Sequence, residues 1–178
     1  MDSKKQIRKF INPSFVPVII LFLIIGFGTF FSLILLLTVT LPTMNRAKKS
    51  VEKLEAAGML DKAAAELMGP SAKRYVKGNL ILTENFVFCK RSGIVCTYDD
   101  VVWAYKQRFT KRFLFIPIKV TDSVYLATSA VKPRAVASMG KDKMDEIKKA
   151  LIEIYSHNPK CLIGYSNEND AAYKQMCK

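Results

Sequence analysis

The chain changes its hydrophobic pattern sharply along its length. From Phe10 to Asn45 there is no charged residue, and the stretch from Phe15 to Leu41 is almost wholly Val, Ile, Leu and Phe. At ~1.5 Å per residue that stretch makes roughly 40 Å of helix, more than the ~30 Å hydrocarbon core of a bilayer. The pattern predicts one transmembrane helix over residues 15–41, preceded by a basic tail over 1–14. The run is longer than a signal-peptide core and ends in Leu-Pro-Thr-Met without a small-x-small site, so the reading is an uncleaved anchor. Gly26 and Gly28 lie mid-run and are candidates for close helix packing.

Residues 42–70 predict a juxtamembrane helical segment. Val51, Leu54 and Ala57 form a partial apolar stripe, Gly58 interrupts it, Leu60, Ala63, Ala64, Leu67 and Met68 resume it, and Gly69-Pro70 stops it. From Asn79 the periodicity turns to strands. Leu80–Thr83, Phe86–Cys89 and Ile94–Tyr98 are short apolar runs separated by turn signals. Val101 to Phe109 alternates, with Val101, Trp103, Tyr105, Gln107 and Phe109 on one face. Strands are further expected at Phe113–Val120, Ser123–Thr128 and Val131–Ala137, with Pro117 marking an edge or bulge. Met144, Ile147, Leu151 and Ile154, with Ala150 and Tyr155 beside them, recur at helical spacing and predict a helix covering the sheet. His157-Asn158-Pro159 ends it, and a short helix follows over Ala171–Met176. The fold class is therefore α+β: a transmembrane helix, a helical stalk, then an antiparallel sheet or small barrel over 79–178 closed by C-terminal helices.

Charge adds a bias. The chain carries a formal net charge of +13, most of it on residues 46–178. Basic residues flank the apolar run on both sides, Lys4, Lys5, Arg8 and Lys9 before it and Arg46, Lys48, Lys49 and Lys53 after it, so orientation is nearly balanced. Cys89, Cys96, Cys161 and Cys177 lack secreted-scaffold spacing, which favours a reducing compartment and a cytoplasmic domain. Cys89 and Cys96 flank a turn, which leaves a disulfide between them open.

Candidate chemistry is sparse. The single histidine, His157, excludes multi-histidine zinc centres, and no Gly-x-Ser-x-Gly elbow, Cys-x-x-Cys pair or Gly-rich phosphate loop occurs. Asp99 and Asp100 are neighbours and would point to opposite faces of a strand, which suits a turn cap better than a carboxylate pair. No catalytic residue, metal ligand or cofactor is assigned, and the expectation is a protein that is not an enzyme. Lys106, Arg108, Lys111 and Arg112 are the densest charge cluster of the strand region and could form one rim with Lys90 and Arg91. Trp103, the only tryptophan, is a core anchor or a partner contact. Nucleic acid is not favoured as a partner, because no nucleic-acid module matches.

Tyr98–Trp103 (Tyr-Asp-Asp-Val-Val-Trp) and Tyr155–Ser166 (Tyr-Ser-His-Asn-Pro…Ile-Gly-Tyr-Ser) carry a resemblance. In them the chain resembles an uncharacterised family of bacterial membrane-anchored proteins with pleckstrin-homology-like domains, from Gram-positive anaerobes. The resemblance implies an N-terminal anchor and a PH-like sheet or barrel, and no chemistry. Together these readings lead to a single-pass membrane protein whose non-catalytic interaction domain binds a protein partner or anionic lipid headgroups, with the bilayer itself as a partner. The alternative expectation is a structural subunit of a membrane complex that associates through its span.

Overall fold

The computed structural model describes Ser3, Lys4, Gln6, Ile7, Ile34 and residues 36–113, 116–140 and 144–176. A short π-helical turn, Leu36–Thr40, runs straight into helix α1, Leu41–Ala56, and helix α2 follows over Leu60–Met68. Gly58 separates the two helices at φ +67, a left-handed value open to glycine at no steric cost.

A first antiparallel sheet has the order β1-β2-β3-β4, from Lys73–Tyr75, Leu80–Leu82, Phe86–Cys89 and Ile94–Thr97. Strands β2, β3 and β4 are apolar at nearly every position because both of their faces are covered, whereas β1, Lys-Arg-Tyr, is a mostly exposed edge. Leu80, Leu82, Val87, Cys89, Ile94 and Cys96 face the main core. Ile81, Phe88 and Val95, which lie opposite one another across the ladder, face Val51 and Leu54 of α1 and Leu67 of α2. A one-residue slip in register would exchange the two sets.

A 3₁₀ turn, Tyr98–Asp100, leads into the second sheet, of order β7-β6-β5-β8. Its strands are β5 (Val101–Phe113), β6 (Ile116–Thr128), β7 (Val131–Gly140) and the short parallel β8 (Leu162–Ile163). From Ile116 onward the strands expected at 113–120 and 123–128 are one continuous β6, while Phe113 ends β5. Ala104, Val124, Leu126 and Ala137 give this sheet an inner face, which meets the first sheet and Ile147, Ala150, Leu151 and Ile154 of helix α3 (Met144–His157). Tyr155 turns outward and is exposed. Helix α4, Asn167–Met176, covers the outer face at Trp103, Tyr105 and Ala127 through Tyr173.

The chain is α+β, but the expected small barrel is corrected to two open sheets. Each ladder ends in an edge strand, and among the described residues no pairing joins the two sheets into a closed ring. Consecutive strands pair antiparallel from β1 to β4 and from β5 to β7, with β8 added parallel to β5; the break falls at the 3₁₀ turn, where the ladder stops at β4 and restarts at β5.

The transmembrane expectation is corrected as well. Most of residues 15–41, Gly26 and Gly28 among them, lie outside the described residues. Among the described residues no helix is long and apolar enough to cross a membrane. Lys4 Nζ meets Glu55 Oε2 at 2.5 Å, and Ile7 is completely buried in the cluster built on α1 and α2. A single crossing between tail and domain would place these partners on opposite sides of a bilayer, yet they touch. The single-pass localisation, the bilayer and its anionic headgroups as partners, the membrane-anchored interaction domain and the subunit associating through its span all rested on that crossing, and they fall with it.

Local contacts hold the assembly in register. Gly93, at φ +67 in the β3–β4 turn, lies so close to α1 that a Cβ there would stand 2.6 Å from the Thr43 carbonyl oxygen. Val76 and Lys77 hold left-handed φ values of 53 and 57, rare for non-glycine residues. The Val76 N–H donates to Glu146 Oε1 of α3 at 2.5 Å, and its carbonyl accepts from the backbone and side chain of Asn79. At the end of α3 the Asn158 side-chain amide donates to the carbonyls of Tyr98 (2.9 Å) and Val101 (3.1 Å), while its oxygen accepts from the Lys160 N–H. Asn158 thereby pins the turn between the sheets. Asn158→Ala would strip buried carbonyls of their donor. Urea denaturation should register a loss of about 2 kcal/mol, and a loss under ~0.5 kcal/mol would remove this pin from the fold.

Candidate functional site: a cationic cavity

Helical and strand periodicity converge on one cavity of about 370 Å³ between α1 and the β6–β7 turn. Arg46, Lys49 and Lys53 of α1 are spaced three and four residues apart, so they form a row along one helix face ~10 Å long. Lys132 and Arg134 of β7 also border it, with the β-bulge between Val131 and Arg134 breaking the strict alternation of that strand. Arg134 pairs with Leu126 in the ladder, which places it on the inward face of the second sheet. Ile94, Val95 and Cys96 of β4 and Val131 supply apolar lining.

The charges here are poorly compensated. Among the described residues Asp100 is the one carboxylate in the lining, and it is engaged: Lys53 Nζ stands 2.6 Å from its Oδ1, and Thr97 donates to its Oδ2 at 3.3 Å. Arg46 donates from Nε to the Ser92 carbonyl (3.1 Å) and from Nη2 to Thr43 Oγ1 (2.8 Å), both neutral acceptors. Partial burial, and secondarily the charge of Arg134, push the Arg46 guanidinium below its ordinary range. Arg134 Nε is buried and, among the described residues, has no hydrogen-bond partner. Among the described residues no carboxylate forms an ion pair with Arg46, Lys49, Lys132 or Arg134. Buried donors ordinarily find acceptors; Arg134 Nε has none among the described residues, and the charge of Arg134 acts on Arg46.

Cys96 borders the same cavity, and burial holds its thiol well above its ordinary range. Cys89 and Cys161 are likewise raised by burial, each to about 12. All three are free thiols; Cys89 faces Ile94 and Cys96 faces Val87 across the β3–β4 ladder, so the pair is offset rather than bonded. Cys177 lies outside the described residues.

The candidates raised from the sequence sit elsewhere. Lys90 and Arg91 belong to the β3–β4 turn of the first sheet, whereas Lys106, Arg108, Lys111 and Arg112 lie on β5 of the second. Arg108 holds buried Asp122 through two bonds of 2.8 and 3.0 Å, and that pairing draws the Asp122 carboxyl below its usual range. Lys106 reinforces the same carboxylate. Lys111 faces Lys119 and Arg112 faces Pro117 near the far end of the β5–β6 hairpin. Trp103 is 1% exposed, and its indole N–H donates to the Gly164 carbonyl at 2.8 Å. Tyr105 and Tyr173 tilt against it and Tyr165 stacks on it. The sequence signal for the cavity was the one-faced spacing of 46, 49 and 53, which read as the flank of a span; the 132/134 pair carried no signal of its own.

Two outcomes follow. Arg134→Met should raise stability by about 1 kcal/mol in anion-free buffer, because it removes a buried donor without a partner and a charge that acts on Arg46, and leaves no carboxylate unpaired; a loss of stability would mean that Arg134 already has its partner. At pH 8 the native protein should leave Cys89, Cys96 and Cys161 unlabelled by iodoacetamide in peptide maps, with labelling only after unfolding.

The family described as Domain of unknown function (DUF6709) matches residues 74–173. No curated protein and no solved structure matches the chain. The cavity straddles the start of the matched segment: β4, Asp100 and β7 lie within it, while the α1 cations precede it.

Proposed function

The chain belongs to the family described as Domain of unknown function (DUF6709), and from its cavity we propose that this member is a non-catalytic binding domain for a small anionic ligand. The earlier resemblance to membrane-anchored PH-like proteins gives way to this family, whose description names no anchor and no activity. The observation that carries the proposal is the buried, unpartnered Nε of Arg134 beside Arg46. An oxyanion between them would accept from both guanidiniums and cancel their repulsion in one step.

The binding role is favoured over catalysis by the chemistry of the walls. The lining carboxylate is tied to Lys53, and the lining thiol is kept protonated by burial. Positioned cations and apolar surface can hold a ligand without transforming it.

The test is a thermal melt of the full chain with phosphate or sulfate against chloride at matched ionic strength. An anion that binds only the folded state at one hundred times its Kd adds about 2.7 kcal/mol. Phosphate or sulfate should raise Tm in the native protein and lose that effect in Arg46→Gln and in Arg134→Met. Equal shifts in all three proteins would mean a general salt effect and would end the proposal.

A further inference from the structure

We infer that the ligand carries at least two linked phosphoryl groups, a diphosphate or longer chain, held along the cavity rather than at one point in it. This rests on the anion-binding reading above and deepens it. The cations are a row, not a cluster. Arg46, Lys49 and Lys53 extend over ~10 Å of α1, and Lys132 and Arg134 cover about 7 Å of the facing strand. A single tetrahedral anion seated between Arg46 and Arg134 would leave Lys49 and Lys132 unserved.

Charge points the same way. Lys53 is neutralised by Asp100, so Arg46, Lys49, Lys132 and Arg134 remain uncompensated among the described residues. A phosphoryl group brings roughly −1.5 to −2 near neutral pH, so two of them approach the charge of those cations. A monocarboxylate does not. The guanidiniums can take one phosphoryl group through planar, paired donors, and the lysines can take the next as point charges. The exposed position of Lys49 and Lys132 leaves the second group near the mouth, where any organic substituent would find room.

The experiment is isothermal titration of the full chain with inorganic phosphate, pyrophosphate and citrate at matched ionic strength. Pyrophosphate should bind at least about tenfold more tightly than phosphate, since it adds charge-assisted contacts. The double variant Lys49→Gln/Lys132→Gln should lose that advantage while keeping the affinity for phosphate within about threefold. Equal affinities for phosphate and pyrophosphate would overturn the linked-phosphoryl inference and leave the anion site standing. Citrate matching pyrophosphate would overturn it too, because charge alone would then suffice. Failure of every anion to bind would bring down both readings.

Discussion

The double-sided burial of the first sheet is the constraint on which the rest of the structure depends. Strands β2, β3 and β4 have apolar side chains on both faces, so they need cover on both. The second sheet and α3 provide one layer, and α1 with α2 provide the other. That requirement brings α1 against β4, and the absence of a side chain at Gly93 lets the helix approach to backbone contact. Ser50 and Arg46 then reach the Gly93 and Ser92 carbonyls. The position of Arg46 is thus a by-product of core packing, and the cavity beside it inherits the rigidity of that packing.

Against this frame the cavity is costly. The charge of Arg134 acts on Arg46, and Arg134 keeps a buried Nε without a partner among the described residues, where apolar side chains would carry neither penalty. Elsewhere the same chain pairs its buried charge well: Arg108 and Asp122 form a bidentate bridge within the second sheet, and Glu66 binds both the backbone and side chain of Asn85. Local rules broken at one place and kept at others are the reason the proposal above is placed at this cavity and not elsewhere.

The α+β class was legible in the sequence, because the shift from helical spacing to short apolar runs and back to helical spacing at Ile147–Ile154 reflects burial directly. The separation into two sheets was not. Whether β4 pairs with β5 depends on the Tyr98–Asp100 turn and on Asn158 some sixty residues away, and no local pattern carries such a contact. The apolar run invited a membrane reading that Ile7 and Lys4 oppose, again through contacts distant in sequence. The basic residues of β5 looked available because Asp122, which holds two of them, lies on the next strand. The cavity was hidden for the same reason: a helix row and a strand pair become one site only once the fold brings them together.

The left-handed turn at Val76 has a bearing on the order in which the molecule assembles. A buried, β-branched residue at that φ is held in place by Glu146, seventy residues further along the chain. Strands β1 and β2 are neighbours in sequence and would ordinarily zip early, as local hairpins do. Here their connection lacks its anchor until α3 has been made and docked. During synthesis the first sheet would therefore stay open at its β1 edge while the second sheet emerges, and the docking of α3 would close that edge against a core already shared by both sheets.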